Sequence, residues 1–274
     1  MALRRAAHQI ADTPLVFPDP LALRILDVRD GDSLPSDLRA PDRPSSKSLR
    51  AFLVARSRFA EDALHTAVEQ DGVRQYVLLG AGLDTFAYRN PHADLRVFEV
   101  DHPATQQWKF SMLHAAGIGI PGTAVHVAID FRHDALLERL TVSGFDPAQP
   151  AVFAWLGVVP YLSHEAFHAT LADISACAPG SSLLMDYGLP RAALSTLEQM
   201  EFDSLAARVA AAGEPFQTFF LPDELRAILS ERRWRVHDDL DRNAMNARYF
   251  TDRTDGLRLL RGGAHLLSAV LLGP

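Results

Sequence analysis

Between residues 75 and 188, short apolar segments rich in β-forming residues alternate with segments of helical periodicity. The apolar segments are QYVLLG (75–80), RVFEVD (96–101), AVHVAID (124–130), AVFAWLG (151–157) and SSLLMDYG (181–188). This alternation predicts a parallel sheet with helices on both faces, because parallel strands need a crossover between them. Nearly continuous apolar strands are typical of a sheet that is buried on both sides. With two further strands at 234–240 and 264–272, the sequence predicts an α/β fold with a mainly parallel, seven-stranded sheet.

The remaining segments are assigned from their periodicity and composition. Residues 29–48 are rich in Pro, Ser and Asp and lack a long apolar period, so we expect a mobile linker there. Apolar residues recur at helical spacing in the predicted helices, which are 1–28, 49–69, 102–116, 132–141, 163–178, 191–213 and 222–232.

Composition disfavours several functional classes. The chain has 27 basic and 34 acidic residues, a formal net charge of −7, so we expect no general nucleic-acid surface. Its one cysteine, Cys177, can form no intrachain disulfide. The longest apolar runs are far shorter than the about 20 residues that cross a bilayer, and the first residues lack the apolar core of a signal peptide. We therefore expect a soluble, cytoplasmic protein that binds neither membrane nor nucleic acid.

The residues after the first two strands are typical of a nucleoside site. Ligands of open parallel sheets bind at the carboxyl ends of the strands. Gly80 and Gly82 allow a tight turn and a close approach to a ligand, although two glycines also occur in ordinary turns. Asp101 follows Gly80 by 21 residues. A carboxylate there can accept hydrogen bonds from both ribose hydroxyls of NAD or S-adenosylmethionine (SAM).

The third strand end separates these two cofactors. Asp130 can accept a hydrogen bond from the exocyclic amine of adenine, and Phe131 can cover the ring. The glycine loop has Thr85 where a dinucleotide-binding loop has its third glycine. SAM has no phosphates and needs no third glycine. The pattern favours SAM, with an NAD(P)-dependent oxidoreductase as the alternative.

A zinc motif also occurs in the chain. HEAFH at 164–168 matches HExxH, in which two histidines on one helix face bind zinc and the glutamate is a general base. No third histidine follows at the expected spacing, and the histidines lie at the edge of an apolar stripe. We interpret the match as an ordinary amphipathic helix and predict no metal site.

Five longer segments carry a resemblance to a known family. They are YVLLGAGLDTFAYR, VFEVDHPATQQWK, FAWLGVVPYL, GEPFQTFFLPDELRAIL and NARYFTDRTDGLRL. They resemble the leucine carboxyl methyltransferase family of class I SAM-dependent methyltransferases, and are most similar to a bacterial branch described as O-methyltransferases. The resemblance extends from about residue 15 onward. It implies a Rossmann-like class I methyltransferase domain over 56–274, and a helical cap over 1–55 that includes the linker.

The resemblance also implies roles for individual residues. Arg56 would hold the SAM carboxylate, and Gly80, with Gly82 in the same loop, would face the methionine part. Asp101 would bind the ribose, and Asp130 with Phe131 would hold the adenine.

Leu156 is the departure from the family pattern, and it is also assigned to the cofactor site. Eukaryotic members have a glutamate there that contacts the SAM amino group. The resemblance therefore implies methyl transfer to an oxygen of a small-molecule acceptor other than a protein C-terminus, by in-line displacement, with no catalytic residue assigned. A non-catalytic SAM-binding protein remains an alternative.

Overall fold

The computed structural model describes residues 1–28, 44–130 and 134–274. Its helices are α1 Ala2–Ala11, α2 Pro44–Gln70, α3 Pro103–Ala115, α4 Leu136–Val142, α5 His164–Ser175, α6 Thr196–Ala211, α7 Pro222–Glu231 and α8 Arg242–Tyr249. Its strands are β1 Gln75–Leu79, β2 Arg96–Asp101, β3 Ala124–Ala128, β4 Val152–Trp155, β5 Ser182–Gly188, β6 Trp234–Leu240 and β7 Ala264–Leu271. Among these residues, no helix combines the length and the apolar character that a membrane crossing requires.

The seven strands form one sheet in the order β3-β2-β1-β4-β5-β7-β6. Strands β1 to β5 run parallel, and β7 lies antiparallel between β5 and β6. The chain leaves β1 towards β2 on one side and returns to β4 on the other. This reversal opens a crevice at the carboxyl end of β1. The predicted α/β architecture is confirmed.

Strand β1 shows why the sheet is buried on both faces. Val77 and Leu79 belong to a core with residues of α4, α5 and α7, whereas Tyr76 and Leu78 belong to a second core with residues of α2 and α8. Because side chains alternate between faces, every residue of β1 is buried. The sheet therefore holds its carboxyl edge between two packed helical layers.

The structure corrects two predictions and adds one helix. The predicted linker includes residues 44–48, but these form the first turns of α2, where Lys47 and Ser48 hydrogen bond to the segment 255–260 instead of packing through apolar side chains. The other linker residues, 29–43, lie outside the described residues. The predicted helix 1–28 is helical at 2–11, with a short 3₁₀ turn at 24–26. Helix α8 has no counterpart among the predicted helices.

The division at residue 55 falls inside α2, which continues without a break from Pro44 to Gln70. Helix α2 therefore belongs to both the predicted cap (1–55) and the predicted methyltransferase domain (56–274). A separate cap stays a prediction.

A fully buried ion pair joins α1 to α2. Arg50 donates two hydrogen bonds to Asp12, at 2.6 and 2.8 Å. His8 shares a hydrogen bond of 2.8 Å with Asp12 through Nδ1, and its Nε2 accepts the backbone N–H groups of Val16 and Phe17. Burial alone would raise the pKa of Asp12, but the hydrogen bonds from Arg50 and His8 outweigh it and lower this pKa to about 2. The cluster ties the N-terminal segment to the helix behind the sheet.

We expect Asp12→Asn to lower the free energy of unfolding by about 3–5 kcal/mol, because it removes the carboxylate that pairs with the fully buried Arg50 guanidinium. Urea unfolding at pH 7 measures this loss. The control is Asp203→Asn, which breaks the two-bond pair with Arg191 that is about half exposed, and should change stability little.

The same ion pair predicts how the free energy of unfolding changes at acid pH. Aspartate in the unfolded chain titrates near about 3.9. The stabilisation from Asp12 is therefore complete above about pH 5 and is lost as the pH falls towards about 2. Equal acid sensitivity of wild type and Asp12→Asn would contradict this role.

Candidate functional site

The glycine loop closes the carboxyl end of β1. The N–H groups of Gly80 and Ala81 donate to the carbonyl of Val100 in β2, at 2.8 and 3.1 Å. Gly80 has φ +70°, and a Cβ there would lie closer than 3.0 Å to the side chain of Val158. Gly82 has φ +49°, and a Cβ there would point into open space, with the nearest atom 4.0 Å away. The loop therefore presents bare backbone to the crevice.

Asp101, the last residue of β2, faces this loop. Its Oδ2 accepts the N–H of Gly82 at 2.6 Å, and its Oδ1 accepts the N–H of His102 at 2.7 Å. The side chain is half-buried. Each oxygen keeps a further lone pair for a ligand, because a carboxylate oxygen accepts two hydrogen bonds.

Asp130 lies at the neighbouring strand end. The N–H of Ile129 donates to the carbonyl of Asp101 at 3.0 Å, and Asp130 follows Ile129, so both aspartates lie at the carboxyl edge of the sheet. The backbone of Asp130 is fixed by a hydrogen bond to Asp134 at 2.9 Å. Phe131, predicted to cover the adenine, lies outside the described residues.

Arg56 enters the crevice from α2 and is held by Asp186 on β5. Its Nη1 donates to Asp186 Oδ2 at 3.0 Å, and the other oxygen of Asp186 accepts the N–H of Gly157. A Cβ on Gly157 would lie 2.7 Å from the guanidinium, so a side chain there would have to displace the guanidinium from this position. Both charged side chains are about nine-tenths buried. The pair places one cation and one anion beside the glycine loop.

Sequence reasoning missed the role of Asp186. It lies near the carboxyl end of β5, and the rule that directed attention to the other strand ends applies equally to it. Leu156 lies next to Gly157 but is half-buried and packs against the core on the α2 side. The structure thus brings Arg56 and Asp186 together with the Leu156–Gly157 turn.

The rival zinc motif is not assembled. In the described ranges, residues 164–168 at the start of α5 are not part of any His, Cys, Asp or Glu group close enough to hold a metal ion. Phe167 is fully buried and stacks on Trp155, with ring centroids 5.2 Å apart. Leu171 and Ile174 are buried on the same face as Phe167, so α5 is an amphipathic helix, and Trp155 is a core residue.

Two other reactive side chains lie outside the crevice. Cys177 is buried, and this burial, with the charge of Asp173, raises its pKa to about 12. Tyr187 donates its hydroxyl to Asp239, and burial together with that carboxylate raises its pKa above the usual range. Neither is suited to act as a nucleophile or base near neutral pH.

The N-terminal segment is hydrogen bonded to the glycine loop. Arg5 donates to the carbonyl of Leu83 at 2.5 Å and to Asp84 at 3.1 Å. Thr85 donates its hydroxyl to the buried Asp19 at 2.8 Å. Two segments therefore support the site: α2 carries Arg56, and residues 5–19 hydrogen bond to the glycine loop and the turn after it.

Comparison with known proteins decides the family. The profile described as "Leucine carboxyl methyltransferase" matches residues 1–175. The chain belongs to the leucine carboxyl methyltransferase family. A Bacillus subtilis (strain 168) relative, named "Putative S-adenosyl-L-methionine-dependent methyltransferase YktD", is 30% identical over 93% of this chain and 91% of its own length.

Solved structures agree on the fold. A structure described as a putative methyltransferase from Thermobifida fusca YX covers 95% of this chain and 97% of its own, with a TM-score of 0.61 and 17% identity. Magnesium protoporphyrin IX methyltransferase from Synechocystis PCC 6803, solved with bound S-adenosylhomocysteine (SAH), covers 98% and 99%, with a TM-score of 0.50 and 12% identity. The predicted family, class I methyltransferase fold, methyltransferase activity and SAM as the family's cofactor are confirmed; transfer to oxygen is not tested by these likenesses.

The close contact at Gly80 gives a testable prediction. Gly117 has φ +62°, and a Cβ there would have no atom within 4 Å, so Gly117→Ala measures backbone strain alone, about 1–2 kcal/mol. We expect Gly80→Ala to lower the free energy of unfolding by more than this, because it adds a clash with Val158. In a Val158→Ala background the two costs should become equal. The same cost for Gly80→Ala in both backgrounds would contradict the steric explanation.

Proposed function

We propose that the chain transfers the methyl group of SAM to a carboxylate or hydroxyl oxygen of a small-molecule acceptor. The observation that carries this proposal is the convergence of Arg56, Gly80, Asp101 and Asp130 on one crevice at the carboxyl edge of the sheet. When bound, SAM supplies a methyl group on a positively charged sulfur. The residues of the chain bind and orient the two reactants and exclude water.

The crevice fits the adenosine part of SAM. Asp101 offers acceptors for the ribose hydroxyls, and open space beside Gly82 leaves room for them. We assign the adenine amine to Asp130, which lies one strand further out at the same edge of the sheet. No phosphate-binding nest is required, which favours SAM over NAD(P).

The buried Arg56–Asp186 pair fits the amino acid part. A guanidinium has five N–H donors, and the structure uses one of those of Arg56 for Asp186. Among the described residues the Arg56 guanidinium makes no other hydrogen bond, so its remaining donors are available to a carboxylate. Asp186 is a positioning residue in this proposal, because it holds the Arg56 guanidinium against Gly157. Leu156 is apolar, and Asp186, which accepts the N–H of the next residue, Gly157, supplies an anionic side chain beside this position.

Four half-buried rings favour an acceptor with a flat apolar body. Tyr161 and Phe216 have centroids 5.2 Å apart, and Phe202 and Phe219 have centroids 5.3 Å apart. A Cβ on Gly188, at the carboxyl end of β5, would lie 3.2 Å from the Phe219 ring. The rings therefore lie over the same edge of the sheet as the cofactor residues, where an acceptor must reach the methyl group.

The type of oxygen sets what the site must provide. A carboxylate is a nucleophile at pH 7 without help, whereas a hydroxyl must lose its proton to a base. Alignment of two reactants can contribute roughly 7–11 kcal/mol to the rate. The proposed reaction therefore depends mainly on the orientation of SAM by Arg56 and Asp101 and of the acceptor by the aromatic rings.

Two ligands separate the roles of the cofactor residues. SAH contains ribose, adenine and an amino acid, whereas 5′-methylthioadenosine lacks the amino acid. We expect Asp101→Ala to weaken both by at least about tenfold, or about 1.4 kcal/mol. Arg56→Ala should weaken SAH by a similar factor and leave 5′-methylthioadenosine unchanged. Isothermal titration calorimetry measures the affinity of each ligand for wild type and for both variants.

The control for these variants is Asp223→Ala, which removes an exposed carboxylate in the first turn of α7. It should bind both ligands as wild type does. Unchanged SAH binding by a folded Asp101→Ala protein would place the ribose elsewhere, and binding of NADH more tightly than SAH would favour the oxidoreductase.

The acceptor is tested by product chemistry. We expect a panel of aromatic carboxylic acids and phenols to yield products that carry one methyl group on oxygen. Mild alkali cleaves a methyl ester but not an ether, and a rate that is flat from pH 6 to 8 indicates a carboxylate acceptor, whereas a rising rate indicates a hydroxyl. Phe219→Leu should raise KM for the acceptor and leave SAH affinity unchanged. Methylation on nitrogen, or no turnover at all, would contradict the proposal.

A further inference from the structure

A second group of potential ligands lies away from the methyl-transfer site. His65 and Glu69 are four residues apart on α2, so they occupy one face in successive turns. His92 comes from the connection between β1 and β2. One ligand atom of each residue lies within 4.8 Å of the other two, and this is the one such group of three found in residues 1–28, 44–130 and 134–274.

The distances suit a small divalent cation. His92 Nδ1 lies 3.4 Å from Glu69 Oε1. Two ligands at about 2.0–2.2 Å from a tetrahedral Zn²⁺ are about 3.4 Å apart, so this pair already has the required separation. The rings of His65 and His92 have centroids 5.5 Å apart and an interplanar angle of 31°. One nitrogen of His65 lies within 4.8 Å of the ligand atoms of both other residues.

The third ligand is held in place by its own loop. The backbone N–H of His92 donates to Asn90 Oδ1 at 2.9 Å, and Asn90 donates its amide to the carbonyl of Leu95 at 3.0 Å. The N–H of Leu95 in turn donates to the carbonyl of His92 at 3.1 Å. The side chain of His92 is only 13% exposed, whereas that of Glu69 is 57% exposed. One fixed ligand therefore faces two accessible ones, which leaves an entry path for an ion.

Hydrogen bonding within the group does not account for it. The Glu69–His92 contact pairs two of the three side chains, and in the described part of the chain the ring of His65 has no hydrogen-bond partner of its own. Two imidazoles and one carboxylate are the ligand set of many zinc sites, with water completing the coordination.

We propose that His65, Glu69 and His92 bind Zn²⁺ and so fasten α2 to the connection that precedes β2. The site lies at the amino ends of the strands, since His92 comes before Arg96, the first residue of β2. The SAM residues lie at the opposite, carboxyl edge. The ion therefore has a structural role that is independent of the methyl transfer proposed above.

Titration of the tag-free, chelator-treated full-length protein with zinc sulfate tests this inference. Calorimetry should show one equivalent of Zn²⁺ bound, with an affinity at least tenfold higher than in His65→Ala, Glu69→Gln or His92→Ala. His114→Ala, which removes an exposed histidine at the end of α3, is the matched control and should bind as wild type does.

Thermal unfolding supplies a second readout. At a Zn²⁺ concentration about 100 times the dissociation constant, the melting temperature of wild type and His114→Ala should rise by at least about 3 °C. It should stay constant in His65→Ala and Glu69→Gln, whose exposed positions make misfolding a poor explanation. Wild-type binding no tighter than in these two variants, or an equal loss in His114→Ala, would overturn the proposal. Because SAH affinity is measured separately, failure of the zinc site leaves the proposed function untouched.

Discussion

The parallel pairing of β1 with two partners is the constraint on which the rest of the structure depends. Tyr76 is in register with Val97 of β2 on one side and with Val152 of β4 on the other. Because both neighbours run in the same direction, three strand ends meet at one edge, and the chain must reverse its winding there. The glycine loop, Asp101 and the Gly157 turn lie together for this reason, although 77 positions separate the first from the last.

The site also depends on polar contacts with α2 and with the N-terminal segment. Arg89 pairs with Glu61 on α2 and lies 3.4 Å from Asp19, so one guanidinium joins the helix, the N-terminal segment and the turn after the glycine loop. Burial raises the pKa of Glu61, an effect that Arg89 opposes. This partly buried network of charged side chains resists rearrangement, because the loss of one side chain would leave the charge of another uncompensated. The loop is therefore preorganised before any ligand arrives, which lowers the entropy lost on binding.

Strands and strand ends could be predicted from the sequence because they follow from local periodicity. Asp101 and Asp130 were found in this way, and both lie at the predicted edge. The partner of Arg56 could not be found in this way, since Asp186 is 130 residues away and only the fold brings them together. The helical conformation of residues 44–48 was not predicted, because polar contacts with a segment more than 200 residues later stabilise it. The pairing of His92 with α2 likewise depends on a loop conformation that no periodic pattern encodes.

The antiparallel strand β7 has a consequence for how the chain is made. It is the last strand in sequence, yet it lies inside the sheet, between β5 and β6. Until residues 264–271 have left the ribosome, β5 keeps an open edge with unpaired N–H and carbonyl groups, and β6 has no strand to join. An open edge of this kind invites pairing with another chain. From the synthesis of β5 until that of β7, 76 positions later, the growing polypeptide thus carries an open strand edge, which the pairing of β7 removes.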